Sequence, residues 1–149
     1  DLPARSGLGA SGAFMVGLVH GLRRMHGDRP VWMDVAREAI EIERGINPAS
    51  GMQDQIAVAH GGVMRIDFER DLSFYAHRLE TPRESIAAMQ DWLMLVYTGI
   101  QRDSAEIETE KVHDLRSHLP VLREIHHLTV ADEAKIREQI MDLPEVSCA

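Results

Sequence analysis

The chain has 149 residues, 44% of them hydrophobic and 27% charged, with a formal net charge of −8 at pH 7. That length suits one domain with a genuine core, and the acidic balance argues against a nucleic-acid backbone as partner, because the mean field would repel a polyanion. A single cysteine, Cys148, excludes an internal disulfide, no apolar run is long enough to cross a bilayer, and no signal-peptide pattern is present, so a cytoplasmic protein with no membrane partner is expected.

Residues 12 to 26 place Phe14, Leu18, Val19, Leu22 and Met25 at helical spacing, which predicts a first helix with one apolar face, stopped by Gly27. Asp28-Arg29-Pro30 predicts a turn, and Val31 to about Ile46 a second helix with Val35, Ala39, Ile42 and Ile46 on its inner side. The run Asn47-Pro48-Ala49-Ser50-Gly51 breaks it. Gln53 to His60 reads as a short helix ending at Gly61-Gly62. Val63 to Phe68 alternates like a strand, with Val63, Arg65 and Asp67 against Met64, Ile66 and Phe68.

A second strand is expected around Ser73 to Leu79, and a helical turn from about Pro82. Trp92 to Gly99 (WLMLVYTG) is short, apolar and closed by glycine, the pattern of a buried strand. The dense charges of Asp103 to His127 predict a long helix broken or kinked at Pro120, and Ala131 to Leu143 a final one. No internal repeat or low-complexity segment interrupts the chain, and the class is α+β.

Ahead of the first helix lies LPARSGLGASGAF, Leu2 to Phe14, a glycine-rich turn running into a helix N-terminus. Missing β-carbons let such a backbone approach an anion, toward which the helix start directs free N–H groups and a partial positive charge. The P-loop pattern is excluded, since no lysine occurs before Lys111. Gly7-Leu8-Gly9-Ala10-Ser11-Gly12 matches G-x-G-x-x-G, but that dinucleotide fingerprint needs a strand before it and another after the helix. Here the segment after Gly27 reads as helix. The bland alternative is a plain glycine-rich helix entry.

Pro3, Gly7-Leu8-Gly9, Ser11 and Ala13 together resemble the nucleotide loop of the GHMP kinases, the superfamily of galactokinase, homoserine kinase, mevalonate kinase and phosphomevalonate kinase. SGMQDQ (Ser50 to Gln55), with Gly61-Gly62 and the strand after it, resembles the catalytic segment of the sugar-phosphorylating members. LMLVYTGIQRDSAEI (Leu93 to Ile107) is similar to the segment that opens their second half. Over roughly residues 1 to 112 the likeness is greatest to the bacterial D-glycero-D-manno-heptose 7-phosphate kinase branch. It implies a partial two-layer fold, helices packed on a mainly antiparallel sheet. Residues 1–80 would supply the nucleotide loop and catalytic aspartate, and 81–149 the start of a second domain plus a helical tail with no recognised likeness.

The resemblance further implies ATP-dependent phosphorylation of a sugar or sugar phosphate at its anomeric hydroxyl. Gly7, Leu8, Gly9, Ala10, Ser11 and Gly12 would cradle the nucleotide phosphates. Ser11 and Glu43, the latter eleven positions before Asp54, would hold Mg²⁺, and Asp54 would accept the hydroxyl proton. Gly51, Gln55 and Arg102 would approach the substrate, with Arg44 and Arg65 as further cationic candidates. Mg²⁺ needs only one or two protein carboxylates, and a positioned base contributes about 10²–10⁴-fold in rate. Positioning and electrostatics supply the remainder in phosphoryl transfer. Taken without the resemblance, Glu43 is a solvated glutamate on a polar helix and Asp54 a first-turn aspartate that suits the helix dipole. The eight histidines show no metal-ligand spacing.

Two departures stand out. Ala10 replaces a common family serine, and Gly12 stands where serine or alanine is usual, weakening the helix start by about 1 kcal/mol relative to alanine. The family's opening strand-rich segment and closing glycine-rich motif have no counterpart, and unpaired strand edges tend to seek another chain. A homo-oligomer, a complementary segment or a truncated product is therefore expected, and the alternative to an autonomous enzyme is a truncated non-catalytic remnant that binds nucleotide or a partner chain.

Overall fold

A computed structural model describes residues 8–96 and 115–141. Gly9 takes the left-handed conformation (φ 68°), and α1 (Ala10–Met25) starts at the next residue, the Ala13 N–H donating to the Gly9 carbonyl at 3.0 Å. The chain leaves α1 through Gly27, also at positive φ. Next comes α2 (Trp32–Ile46), a helix where a dinucleotide-binding unit would need a strand, which removes that reading of the glycine loop. At its end the Asn47 side chain accepts the Ala49 N–H at 3.2 Å and its carbonyl the Ser50 N–H at 3.0 Å, a local turn that competes with further helix. The short α3 (Gln53–His60) stops at Gly61 and Gly62, both at positive φ.

Strands β1 (Met64–Phe68) and β2 (Phe74–Arg78) form an antiparallel hairpin with Ile66 opposite Ala76 and Phe68 opposite Phe74. Then follow α4 (Arg83–Trp92) and α5 (Leu115–Met141), which meets α4. Five helices and one two-stranded antiparallel sheet among the described residues make the class α+β, as the sequence predicts.

The core has two adjoining parts. Val16 and Val19 of α1 pack on Val35 and Ala39 of α2. Ala36 and Ile40, on the adjoining side of α2, pack on Ile56 of α3 and Phe74 of β2, with Ile66 and Ala76 closing the hairpin over them. The strand alternation is as read from the sequence: Ile66 faces this core, while Arg65 pairs with Asp67, whose Oδ2 also lies 3.0 Å from His77 Nε2. Three helices thus form a tight unit around α2, with the hairpin laid on one side.

Four sequence expectations change. The burial stripe of α1 is Gly12, Val16 and Val19, not the bulky Phe14–Leu18–Leu22–Met25 row, which is exposed (Phe14 69%). Both rows have helical period, and small residues win the contact because they let α2 and α3 approach closely. On α2 the buried set is Val35, Ala36, Ala39 and Ile40, because the helix is covered from two sides, and Ile42 and Ile46 fall outside. Trp92 closes α4, and Leu93–Val96 is irregular and exposed, with no partner strand among the described residues to make it a strand; Tyr97 to Gly99 lie outside them. Finally, α5 runs through Pro120 and joins what the sequence divides into two helices. Proline there forfeits one backbone bond near the start of a 27-residue helix, a loss the remaining turns absorb. The expected helical stretch from Asp103 to Asp114 lies outside the described residues.

Candidate functional site

The first turns of α1 and α3 and the last turn of α2 meet at one place. Ser11 Oγ, from α1, donates to Glu43 Oε1 at 2.7 Å. Gln55 Nε2, from α3, donates to Glu43 Oε2. Gly9 and Gly12 lie flush against Asp54: a β-carbon on Gly9 would sit 3.1 Å from Asp54 Oδ2, and one on Gly12 only 2.9 Å from Asp54 Cβ. Glycine is thus required twice over at Gly9, by its left-handed φ and by this approach. At Gly12 the helical backbone would accept alanine, and the packing against α3 would not.

The site's electrostatics follow from its elements. Among the described residues no side chain caps the start of α1, and no acidic residue lies in its first turn. Its free N–H groups and partial positive charge therefore remain available to an anion. At the same helix start, the Ser11 hydroxyl and the Glu43 carboxylate of α2 form an oxygen pair of the kind that suits Mg²⁺, a small hard cation that keeps most of its waters. Among the described residues no group of three or more His, Cys, Asp and Glu side chains is placed for a metal, so a cation here would draw its remaining ligands from water or phosphate oxygens. Asp54 presents an exposed carboxylate against the loop, and Gln55 beside it is 3% exposed with its Oε1 atom unpartnered.

Of the residues singled out in the sequence, Gly9, Ser11, Gly12, Glu43, Asp54 and Gln55 are brought together, with Leu8 and Ala10 on the same exposed stretch. Gly51 lies in the turn before α3, beside the Gln53 side chain. Arg44 holds that turn through the Ser50 carbonyl at 3.4 Å, and Arg65 pairs with Asp67 on the hairpin at 2.8 Å. Gly7 and Arg102 lie outside the described residues. A groove of about 350 Å³ between α1, the start of α2 and the end of α3 escaped the sequence reading; it is lined by Ala13, Gly17, His20, Trp32 and Val58, among others. Its one available signal was the row of small residues Ala13 and Gly17, four apart on α1, which leaves room beside the helix.

Known proteins bear on this arrangement. Residues 1–62 match the family model described as the GHMP kinases N terminal domain. The chain is also 26% identical over 141 residues to the D-glycero-alpha-D-manno-heptose 7-phosphate kinase of Campylobacter jejuni subsp. jejuni serotype O:2. That match covers 94% of this chain and 41% of the relative, so the chain spans well under half the relative's length. No solved structure matches. Among the described residues no helix is long and apolar enough to cross a membrane. The glycine loop from Leu8 onward, the Ser11–Glu43 pair and Asp54 all fall inside the span that is similar to the GHMP kinase N-terminal domain.

Proposed function

We propose that this chain forms the nucleotide-loop and catalytic portion of an ATP-dependent kinase that phosphorylates a sugar phosphate, of the heptose 7-phosphate type, at its anomeric hydroxyl. One observation carries the reading: Ser11, Glu43 and Asp54, far apart in the chain, converge on the glycine-rich start of α1. The heptose-phosphate kinase relative supports the acceptor class. In this mechanism the Gly9–Gly12 backbone and the α1 N–H groups hold the nucleotide phosphates. Ser11 and Glu43 hold Mg²⁺, which neutralises charge on the phosphate oxygens when bound. Asp54 orients the acceptor hydroxyl and takes its proton as the new O–P bond forms and the bond to the departing ADP breaks. Exclusion of β-carbons at Gly9 and Gly12 keeps the base and the phosphate cradle in contact.

The test is calorimetric titration of Mg²⁺–ATP into the chain and into Ser11→Ala. The expected result is binding that weakens about tenfold or more in the variant, followed by sugar-phosphate-dependent ADP release that Asp54→Asn abolishes without loss of nucleotide binding. Absence of binding at millimolar nucleotide overturns the reading. Binding without transfer to any sugar phosphate supports the non-catalytic alternative instead.

A further inference from the structure

We infer that Gln55 is a positioning residue, whose side-chain amide fixes the Glu43 carboxylate in the orientation that grips a divalent cation together with Ser11. The inference rests on the site reading above and assigns Gln55 a task other than contact with the acceptor. Its side chain is 3% exposed, and its one engaged end, Nε2, donates to Glu43 Oε2, while Ser11 Oγ donates to Glu43 Oε1. Two donors from two different helices therefore pin both oxygens of one carboxylate. A free glutamate has three rotatable bonds whose ordering opposes ligand binding, and that ordering is complete here before any ligand arrives.

The chemistry of the pinning group matters as much as its place. An amide and a hydroxyl satisfy the carboxylate without cancelling its charge, whereas an arginine or lysine would leave little attraction for a cation. The other end of the amide gives the second line of argument. Gln55 Oε1 is buried with no hydrogen-bond partner, an unfavourable state that a hydrocarbon side chain of similar size would avoid. A polar side chain kept in the core with one end unsatisfied has its value in the other end, on Glu43. Outer-sphere groups of this kind typically change metal affinity 10–100-fold when removed.

The experiment uses the full chain and Mn²⁺ as the probe, read by electron paramagnetic resonance with and without ATP, so that no turnover is needed. Gln55→Leu keeps the volume and removes the donor; Gln55→Asn keeps the amide and withdraws it by one methylene. Thermal unfolding of each variant reports folding, and Gln90→Leu on α4 serves as the control. Both Gln55 variants are expected to bind Mn²⁺ about tenfold or more weakly while metal-free ATP affinity stays unchanged. Unaltered Mn²⁺ affinity in whichever variant remains folded overturns the positioning role, as does a wild-type chain that binds no Mn²⁺ at all. The site reading fails separately: Mn²⁺ held by the wild type with no gain in ATP affinity removes the nucleotide while leaving the Gln55–Glu43 coupling to be decided by the same two variants.

Discussion

At the scale of single residues, two of the three glycines on α1, Gly12 and Gly17, look alike in the sequence and have opposite requirements. A β-carbon on Gly12 would meet Asp54 Cβ and the Gln55 backbone nitrogen, and one on Gly17 would meet nothing within 4 Å among the described residues. Alanine in a helix interior is worth about 1 kcal/mol over glycine, so Gly17→Ala stabilises by about that amount. Gly12→Ala gains the same propensity but forces α1 and α3 apart, an overpacking cost of about 1–3 kcal/mol. The expected net result is destabilisation, with nucleotide affinity reduced because Asp54 and the loop separate. Urea unfolding of both variants checks the sign, and a shift of both midpoints in the same direction overturns the argument. The departure of Gly12 from the usual family residue, which looks like a weakened helix start, is thus a packing requirement.

At the scale of elements, the hairpin turn carries the clearest titration. Asp71 Oδ1 accepts from the Ser73 hydroxyl at 2.6 Å and the Ser73 N–H at 3.0 Å, and these bonds, the hydroxyl first, hold the Asp71 carboxyl below its ordinary value of 3.8. A depressed carboxyl stabilises the fold at pH above its unfolded value and loses that contribution as pH falls through the folded one. The window therefore opens near 3.8 and extends below it. Titration of the Asp71 carboxyl by NMR should give a midpoint below the ordinary value, rising toward it in Ser73→Ala, with part of the shift retained through the N–H. An unchanged midpoint in Ser73→Ala would assign the effect elsewhere.

Elements were also where the sequence was most legible. Glycine and asparagine punctuation placed α1, α2 and α3 to within a residue or two, and the alternation around Ile66 gave β1 its correct inner face. What local pattern could not supply was the partner. Leu93–Val96 has the apolar character of a strand but no neighbour among the described residues to pair with, and Pro120, which signals a break or a kink, does not break the long helix. For the candidate site, Ser11, Glu43 and Asp54 were accessible through motif likeness. The Gln55–Glu43 bond was not, because it joins two helices whose relative rotation no local spacing encodes.

At the scale of the whole molecule, α2 is the element on which the other parts of the core assemble, and the choice of its inner face decides where stability resides. The sequence offers Ile42 and Ile46 as core residues, whereas the structure gives that place to Ala36 and Ile40, which meet Ile56 and Phe74. Ile56 is 0% exposed and follows Gln55 directly, so the packing that stabilises the fold also holds α3 against Glu43. Ile56→Ala removes three carbons from this junction and is expected to cost about 2–5 kcal/mol. That is a large share of the roughly 5–15 kcal/mol available to a domain of this kind. Ile46, 75% exposed at the end of α2, should tolerate alanine within about 0.5 kcal/mol. Denaturant unfolding of the two variants at equal m-value separates the faces, and Mn²⁺ affinity measured on the folded fraction should fall with Ile56→Ala alone, since only that change loosens the turn carrying Asp54 and Gln55. Equal losses at both positions would mean that the outer end of the face read from periodicity, Ile42 and Ile46, is covered as Val35 and Ala39 are, and the core would then have to extend beyond the helices and hairpin that now define it.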